Sequence, residues 1–349
     1  MESTTSKLRL ICAFPMRAIF ALLTAVFVLG IGARAATITV QNANDSGAGS
    51  LRQAIADAAT GDTIEFSQAM TSTLTSPITI DKDIVIDGAN VVTISGDNAT
   101  SIFKITSGTV EIKNLTLKDG LASGVNGGSS DGDYHGGGGG GAGMGGAIYA
   151  EGGAITIDNV TFQGNKALGG NGGNQDGGVE YFSDGGWGGN SSFGSGGGYP
   201  GVYTNDRNNS PSSASDSTVV GAPGGWGGGG GGGANYSSFG GRGGTGGFGG
   251  GAGGSAEEGV VNISSLTGRG TDAMIIRGGQ FGGNGGMEKL LWTASYGDRY
   301  RGAGSGGGGA GLGGALFIKA ASVTITNSNF TGNSVEGGAA GALDMFFND

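Results

Sequence analysis

Residues 143–173 read GMGGAIYAEGGAITIDNVTFQGNKALGGNGG, and residues 311–341 repeat them as GLGGALFIKAASVTITNSNFTGNSVEGGAAG. Thirteen of the 31 aligned positions are identical without a gap. The shared pattern is G-G-A-[IL], an alternating stretch that ends T-I-x-N, then F-x-G-N and G-G. A degenerate copy, VEIKNLTLKDG at 110–120, keeps the alternation and Asn114 but has Leu117 in place of the phenylalanine. A short strand-bearing unit that recurs in this way is typical of a solenoid, whose units bury their apolar faces by stacking.

The repeated positions have structural rather than chemical roles in this pattern. We expect Ile155 and Ile157 to point inward and to stack on Val323 and Ile325, because side chains alternate along a strand. Asparagines at bends tolerate unusual backbone angles and bond to the units above and below, and paired glycines make tight corners. The predicted structural residues are corner glycines, interior phenylalanines and asparagine columns: Gly145, Gly146, Asn159, Phe162, Asn165, Gly313, Gly314, Asn327, Phe330 and Asn333, with Asn114 in phase with Asn159.

The first 35 residues have the pattern of a secretory signal peptide. Basic residues precede an apolar run at 18–32, and ARA at 33–35 is an A-x-A cleavage site. A run of that length is short for a membrane span. The single cysteine, Cys12, lies in this segment, so a chain that starts at Ala36 has no disulfide. We therefore predict an exported protein, extracellular or on a bacterial outer-membrane surface.

The charge of the chain restricts its partners. A formal net charge of −10 argues against nucleic acid and against anionic lipid headgroups. The expected partner is a surface, a glycan or a protein ligand of unknown identity, with membrane contact only through the signal peptide or an anchor outside this sequence.

Composition divides the chain into four zones. These are the signal peptide (1–35), an N-terminal cap with the first strands (36–121), glycine-rich insertions around one repeat (122–310, with the repeat at 143–166) and a further repeat (311–349). Because GAL at 341–343 opens the motif again, we expect the reading frame to continue beyond Asp349. Short β-branched runs bounded by turn residues predict strands at 37–40, 63–66, 78–80, 84–86, 91–94, 102–105 and 110–112.

One helix is predicted near the start. Ser50 and Gln53 form a capping box, in which Ser50 accepts from the amide of Gln53 and the Gln53 side chain reaches back. Gly61 can end the helix in the left-handed conformation. We expect this helix to cover the open apolar end of the first strands; a helix in a side loop is the alternative.

Long glycine tracts with isolated aromatic residues fill the third zone. Glycine costs the most backbone entropy to order, so we expect long flexible excursions from the strands. Their aromatic residues either pin them to the flank of the strands or leave them disordered, and contact with a ligand is the alternative; these residues are Trp187, Phe193, Tyr199, Tyr203, Trp226, Tyr236, Phe239 and Phe248. Val260–Ile263 and Ala273–Ile276 are candidate stray strands that rejoin the strand ladders.

Two exported families resemble parts of this chain. GGAI and GGAL paired with FQGN and FTGN resemble the repeats of polymorphic outer-membrane proteins, which are autotransporter passengers. Gly49-Ser-Leu-Arg-Gln-Ala54 is similar to the Cys-Ser-Leu-Arg-Glu-Ala opening of many bacterial surface proteins, with Gly49 and Gln53 as departures. The resemblance implies an all-β fold, a right-handed parallel β-helix, and an adhesin-like or structural passenger without enzymatic activity.

Catalytic signals are weak. The single histidine, His135, lies beside glycines, and we expect it in an exposed loop. Asp81, Asp83 and Asp87 offer a carboxylate cluster of the kind that β-helix polysaccharide lyases and glycoside hydrolases use, and this enzyme remains the alternative; strand edges and a turn explain the same residues.

No cofactor is predicted. The chain does not match the glycine-rich calcium-binding nonapeptide, because Asn174 occupies the position of the ligand aspartate. Weak calcium binding by an acidic chain is the most that the sequence supports. A flat ice- or mineral-binding face would need a regular threonine array, and the threonines are scattered.

Overall fold

The fold is mostly β, with one short helix among the residues that the computed structural model describes. These are residues 35–130, 135–175, 186, 188–193, 196–198, 221–232, 235–236, 239–240, 243–253, 256–260, 280–283, 288–292 and 299–342. Residues 1–34 of the predicted signal peptide, the candidate strand residues 261–263 and 273–276, and the residues after Ala342 lie outside them.

The first half of the described chain contains α1 (Leu51–Asp57) and the strands β1 (Thr37–Val40), β2 (Asp62–Phe66), β3 (Met70–Thr73), β4 (Ile78–Ile80), β5 (Ile84–Ser95), β6 (Phe103–Ile105), β7 (Thr109–Lys118), β8 (Leu121–Ser123), β9 (Gly143–Met144), β10 (Ile148–Ala150), β11 (Ala154–Gln163) and β12 (Lys166–Leu168). The second half contains β13 (Asn235–Tyr236), β14 (Phe239–Gly240), β15 (Ala256–Val260), β16 (Glu288–Trp292), β17 (Arg299–Ala303), β18 (Gly311–Leu312), β19 (Leu316–Ile318), β20 (Ser322–Thr326), β21 (Asn329–Thr331) and β22 (Ser334–Glu336).

Three parallel sheets organise these strands. Sheet A has the order β1-β2-β5-β7-β11-β20, with β3 on β5 and β21 on β11; sheet B is β4-β6-β10-β19, and sheet C is β8-β12-β22. The chain visits sheets B, A and C in the same order three times, through β6–β8, then β10–β12, then β19–β22. The all-β prediction is confirmed at this level.

The two long copies of the repeat lie side by side in register. Ile155 pairs with Val323 and Ile157 with Ile325 in one parallel ladder, and Phe162 pairs with Phe330 in the next. On the other side of β11, the degenerate copy in β7 pairs in the same phase and places Leu117 opposite Phe162. The alignment read from the sequence is therefore the strand register of the structure.

Alternating side chains of sheets A and B enclose one core. Ile86, Ile112 and Ile157 are fully buried members of one column across sheet A. Phe103, Ile105 and Ile148 fill the core from sheet B.

Helix α1 closes the β1 end of this core, as predicted. Ser50 Oγ accepts from the amide of Gln53 at 3.2 Å, and Leu51, Ala54 and Ile55 are buried in the core. The reciprocal half of the capping box is wrong, because Gln53 Nε2 donates to Asp57 at 2.7 Å instead. The predicted stop at Gly61 is also wrong: α1 ends at Asp57 with an extended cap residue.

The ammonium of Lys82 replaces the expected glycine cap at the end of α1. Its Nζ donates to the carbonyls of Ile55, Ala56 and Ala58 at 3.0–3.3 Å. A cation at this position satisfies the free carbonyls and complements the negative end of the helix dipole.

Two local expectations differ from the structure. The strands predicted separately at 84–86 and 91–94 are one strand, β5; in place of a turn between them there is a bulge, where Ala89 and Asn90 have positive φ values of 49° and 65°. The stray strand near Val260 does not rejoin the parallel ladders. It belongs to β15, which pairs antiparallel with β17 in a separate three-stranded sheet with β16.

Candidate functional site: a glycine lattice and its aromatic contact

The glycine tracts are ordered against each other through backbone hydrogen bonds that repeat every three residues. Gly138, Gly139 and Gly140 donate their amides to Gly128, Gly230 and Gly307, respectively, at 2.8–2.9 Å. The next three residues, 141–143, donate at 2.7–2.9 Å to positions 125, 227 and 310, which lie in the same three neighbouring tracts. A period of three is that of the extended left-handed helix of polyproline II type, which forms no hydrogen bonds within itself.

The tract at 136–143 is the centre of this arrangement. Its carbonyls accept from three further tracts, through the amides of Gly173, Gly189 and Gly251 at 2.7–2.8 Å. Six neighbouring tracts therefore surround it, three as acceptors and three as donors. We call this assembly the glycine lattice, and its described tracts are 124–130, 136–143, 168–175, 186 with 188–192, 221–232, 243–253, 282–283, 304–310 and 336–342.

This finding corrects the expectation of flexible excursions for the described tracts. Backbone amides and carbonyls must find partners when they are buried, and in the lattice the neighbouring tracts supply them. The tracts can approach each other only because glycine has no side chain. A Cβ on Gly139 would collide with the carbonyl of Gly251 and would lie 2.8 Å from the carbonyl carbon of Ala252, closer than the 3.0 Å below which something must shift.

Aromatic side chains attach the glycine lattice to the outer face of sheet B. Tyr149 of β10 is fully buried there and stacks between Phe193 and Phe317, with ring centroids at 4.8 and 5.7 Å. Trp226 and Phe248, from two lattice tracts, stack on each other at 4.5 Å. Pinning by aromatic residues, as predicted, is confirmed for Trp226 and Phe248; Trp187, Tyr199 and Tyr203 lie outside the described residues.

Two lysines and one carboxylate border this aromatic cluster. Glu151 lies 2.9 Å from the Nζ of Lys319 and 3.6 Å from that of Lys104. Lys319 Nζ is also 5.2 Å from the Trp226 ring, and Lys104 Nζ is 5.9 Å from the Phe193 ring, both within the range of cation–π attraction.

These contacts shift the ionisation of the border residues. The hydrogen bond from Lys319 lowers the pKa of Glu151, and the same bond raises the pKa of Lys319. Burial raises the pKa of Tyr149, and the Glu151 carboxylate adds to that effect while Lys319 and Trp226 oppose it. Although Trp226 lowers the pKa of Tyr149, the two groups do not form a hydrogen bond of normal geometry. The Tyr149 hydroxyl and the Trp226 indole N–H are both buried without a hydrogen-bond partner among the described residues.

The predicted asparagine columns lie at the bends of sheet A. Asn114, Asn159 and Asn327 all have positive φ, between 50° and 55°. Asn159 Nδ2 donates to Asn114 Oδ1 at 2.9 Å, whereas Asn327 Nδ2 donates to Asp158 at 2.8 Å rather than to Asn159. The last contact of this column is therefore made through the Asp158 carboxylate rather than from asparagine to asparagine.

The second column is more deeply buried. Asn165 is fully buried and donates through Nδ2 to Asn333 Oδ1 at 2.8 Å and to the Leu117 carbonyl at 3.0 Å. Its Oδ1 accepts from the amide of Gly120 at 2.8 Å. One side chain thus joins three successive layers.

The corner glycines precede β10 and β19. Gly145 and Gly313 have φ values of +72° and +62°, and a Cβ on Gly146 would collide with the carbonyl of Gly314. Phe162 and Phe330 stack at 4.6 Å with nearly parallel rings.

Two of the three aspartates weighed for catalysis accept hydrogen bonds from neighbouring segments. Asp83 accepts from the amide of Thr109 at 2.7 Å, and Asp87 accepts from the amide of Ala89 at 2.9 Å and from Asn114 Nδ2 at 3.0 Å. Asp81 is exposed. His135 is fully buried, so its expected place in an exposed loop is wrong.

Neither a cluster of metal-ligating side chains nor a membrane-spanning helix is present among the residues that the structure describes. No group of three or more His, Cys, Asp or Glu side chains there could hold a metal ion. In the same residues no helix has the length and apolar character of a membrane span.

Comparisons with protein-family models, with curated proteins and with solved structures gave no match to this chain.

The lattice was not predicted from the sequence, although one tract carries a usable signal. Residues 240–251 read GGRGGTGGFGGG, in which every triplet begins with two glycines. This pattern differs from collagen, because it has no proline and two glycines rather than one in each triplet. Its period of three matches the period of the backbone hydrogen bonds in the structure.

Proposed function

We propose that the three parallel sheets are the faces of a right-handed parallel β-helix and that the glycine lattice is a second, rigid layer on its flank. The repeated order of sheets B, A and C supports this fold, together with the register of the two repeat copies. The right hand follows the general preference of parallel strand crossovers. Asparagine columns and stacked phenylalanines at equivalent positions support the same conclusion.

The proposed function is that of an exported, non-enzymatic scaffold, an adhesin-like or structural passenger at a bacterial surface. The observation that carries it is the glycine lattice. A large part of the chain forms a backbone hydrogen-bond network of glycine residues. Because glycine has no functional side chain, this network offers shape and rigidity but few groups for acid, base or nucleophilic chemistry.

The lattice also changes how the scaffold would bind. Flexible loops would lose conformational entropy when they bind, whereas a preorganised surface would not. We therefore infer that a glycan or protein surface binds to the fixed outer face of the lattice, where Asn126, Asn171 and Asn174 are exposed.

The test has two arms. Expression of the whole coding sequence in a bacterial host, followed by fractionation and N-terminal sequencing, should give an exported chain that begins at Ala36. The purified chain should bind to a glycan or protein array and should release no sugar from acidic polysaccharides.

Two outcomes would contradict the proposal. One is retention of the protein inside the cell. The other is polysaccharide turnover that is lost in Asp81→Asn, Asp83→Asn or Asp87→Asn but kept in the matched variant Asp97→Asn, which would favour the lyase or hydrolase.

A further inference from the structure

Polar side chains cap one border of the glycine lattice. The amide of Asn171 donates to Asn126 Oδ1 at 2.8 Å, and the amide of Asn174 donates to Ser129 Oγ at 3.2 Å. Inside the lattice, backbone carbonyls of a neighbouring tract accept the amides. At this border the side chains take the place of such a tract.

The same capping recurs between the next two tracts. Asn171 Oδ1 accepts from the amide of Ala339 at 2.9 Å, and Asn174 Oδ1 accepts from the amide of Ala342 at 2.8 Å. The side chains involved lie three residues apart along each tract, and all of them are exposed. We call these positions the asparagine face: 126, 129, 171, 174, 339 and 342.

Capping fixes the direction of each asparagine amide group. A backbone amide can only donate, so the side-chain oxygen must face it and Nδ2 must be turned away from it. The Nδ2 groups of Asn126, Asn171 and Asn174 form no hydrogen bond with another described residue. Each of them therefore keeps two N–H donors for a ligand.

The lattice also sets the spacing of these donors. Asn171 and Asn174 are three residues apart in an extended tract, which corresponds to about 9 Å. Asn126 and Asn171 continue β8 and β12, whose paired residues have the same sequence offset of 45. Strands in one sheet lie about 4.8 Å apart, so the donors form a regular grid.

The chemistry of the asparagine face favours an uncharged ligand that is rich in acceptors. Its six positions hold asparagine, serine and alanine, without lysine or arginine to pair with an anion. The net charge of −10 repels anionic polymers as well. Protein partners bind mainly through aromatic and arginine residues in desolvated pockets, and the face has neither. The hydroxyl and ring oxygens of a neutral polysaccharide are uncharged acceptors that recur along an extended chain.

We propose that the asparagine face binds an extended neutral polysaccharide through the Nδ2 groups of Asn126, Asn171 and Asn174. This inference rests on the proposed function and names the class of its ligand. Because the caps hold the donors in place before the ligand arrives, little side-chain entropy is lost on binding.

Native affinity electrophoresis of the full chain tests this proposal. The gels contain a soluble β-glucan, a mannan or glycol chitin as neutral probes, and polygalacturonate as the acidic comparison. We expect retardation by at least one neutral probe. The double variant Asn171→Asp with Asn174→Asp should raise that dissociation constant about tenfold or more, because carboxylates remove the donors and repel sugar oxygens.

The aspartate variants separate binding from folding. A carboxylate still accepts from the amides of Ala339 and Ala342, so urea unfolding should remain close to that of the unchanged protein. The matched control is Asn44→Asp with Asn98→Asp, which makes the same charge change at two exposed positions outside the lattice and should bind normally.

Three outcomes would overturn the proposal. They are no retardation by any neutral probe, retardation by polygalacturonate alone, and neutral binding that the Asn171→Asp, Asn174→Asp variant keeps. An exported chain that binds only proteins would overturn this inference and leave the proposed function standing, whereas retention inside the cell would contradict the proposed function itself.

Discussion

Replacing Gly139 with alanine should destabilise the protein strongly, although alanine is ordinarily the easier residue to order. The added methyl group would collide with the carbonyl of Gly251 and would lie 2.8 Å from the carbonyl carbon of Ala252. Both contacted atoms belong to the backbone, so a change of side-chain rotamer cannot relieve the collision. The tract at 249–253 must therefore move away from the central tract.

The expected magnitude follows from that displacement. Overpacking a close-packed site costs about 1–3 kcal/mol. Moving the tract also weakens its hydrogen bonds to the lattice, including those of Gly251 to Gly140 and of Gly230 to Gly251, both at 2.8–2.9 Å, worth about 1 kcal/mol each. Alanine also lowers the conformational entropy of the unfolded chain, which offsets about 0.4–1 kcal/mol of this loss of stability. We expect a net loss of about 3 kcal/mol in the free energy of unfolding.

Gly337→Ala is the matched control, because a Cβ there would lie an ordinary 3.7 Å from the nearest atom, the carbonyl oxygen of Gly309. We expect this variant to be unchanged or more stable by about 0.5 kcal/mol. Urea unfolding followed by tryptophan fluorescence and by circular dichroism measures both. Equal stability of the two variants would refute the close packing of the glycine tracts.

Three further predictions concern side chains. Tyr149→Phe should stabilise the protein by about 1 kcal/mol, because it removes a buried hydroxyl that lacks a partner among the described residues; a loss of stability in urea unfolding would contradict this. Asn165→Ala should cost about 3 kcal/mol, because it leaves the amide of Gly120 and the Leu117 carbonyl unpaired, whereas the exposed Asn329→Ala should be close to neutral in the same assay. Lys319→Met should destabilise the protein at neutral pH, with a deficit that shrinks in acid and in alkali. Glu151, whose pKa is lowered, contributes stability above its usual 4.5 and loses it as pH falls further, and Lys319, whose pKa is raised, contributes below 10.5 and loses it as pH rises further. A deficit that is constant from acid to alkali would show that the ion pair contributes nothing.

Sequence patterns predicted the parallel sheets because their determinants are local. Alternation around Ile155 and Ile157 sets which side chains point inward, and a one-residue slip would turn them to solvent. The repeat offset then fixed the partners Val323 and Ile325, which the ladders confirm. Asparagine columns followed from the same phase.

The glycine lattice could not be predicted by the same reasoning. Gly139 has no side chain whose pattern could reveal a buried face, and its intrinsic preference is for disorder. Its partners Gly230 and Gly251 are far away in sequence, so order arises only when many tracts assemble together. The burial of His135 beside this tract was missed for the same reason.

Hydrogen exchange of the glycine amides in tract 136–143 tests the central claim most directly. Residues 138–143 donate to three neighbouring tracts and are buried, so their amides should exchange only through opening of the lattice and should be protected about as strongly as those of β11. Exchange of these amides at the rate of an unstructured chain, while β11 stays protected, would contradict the glycine lattice.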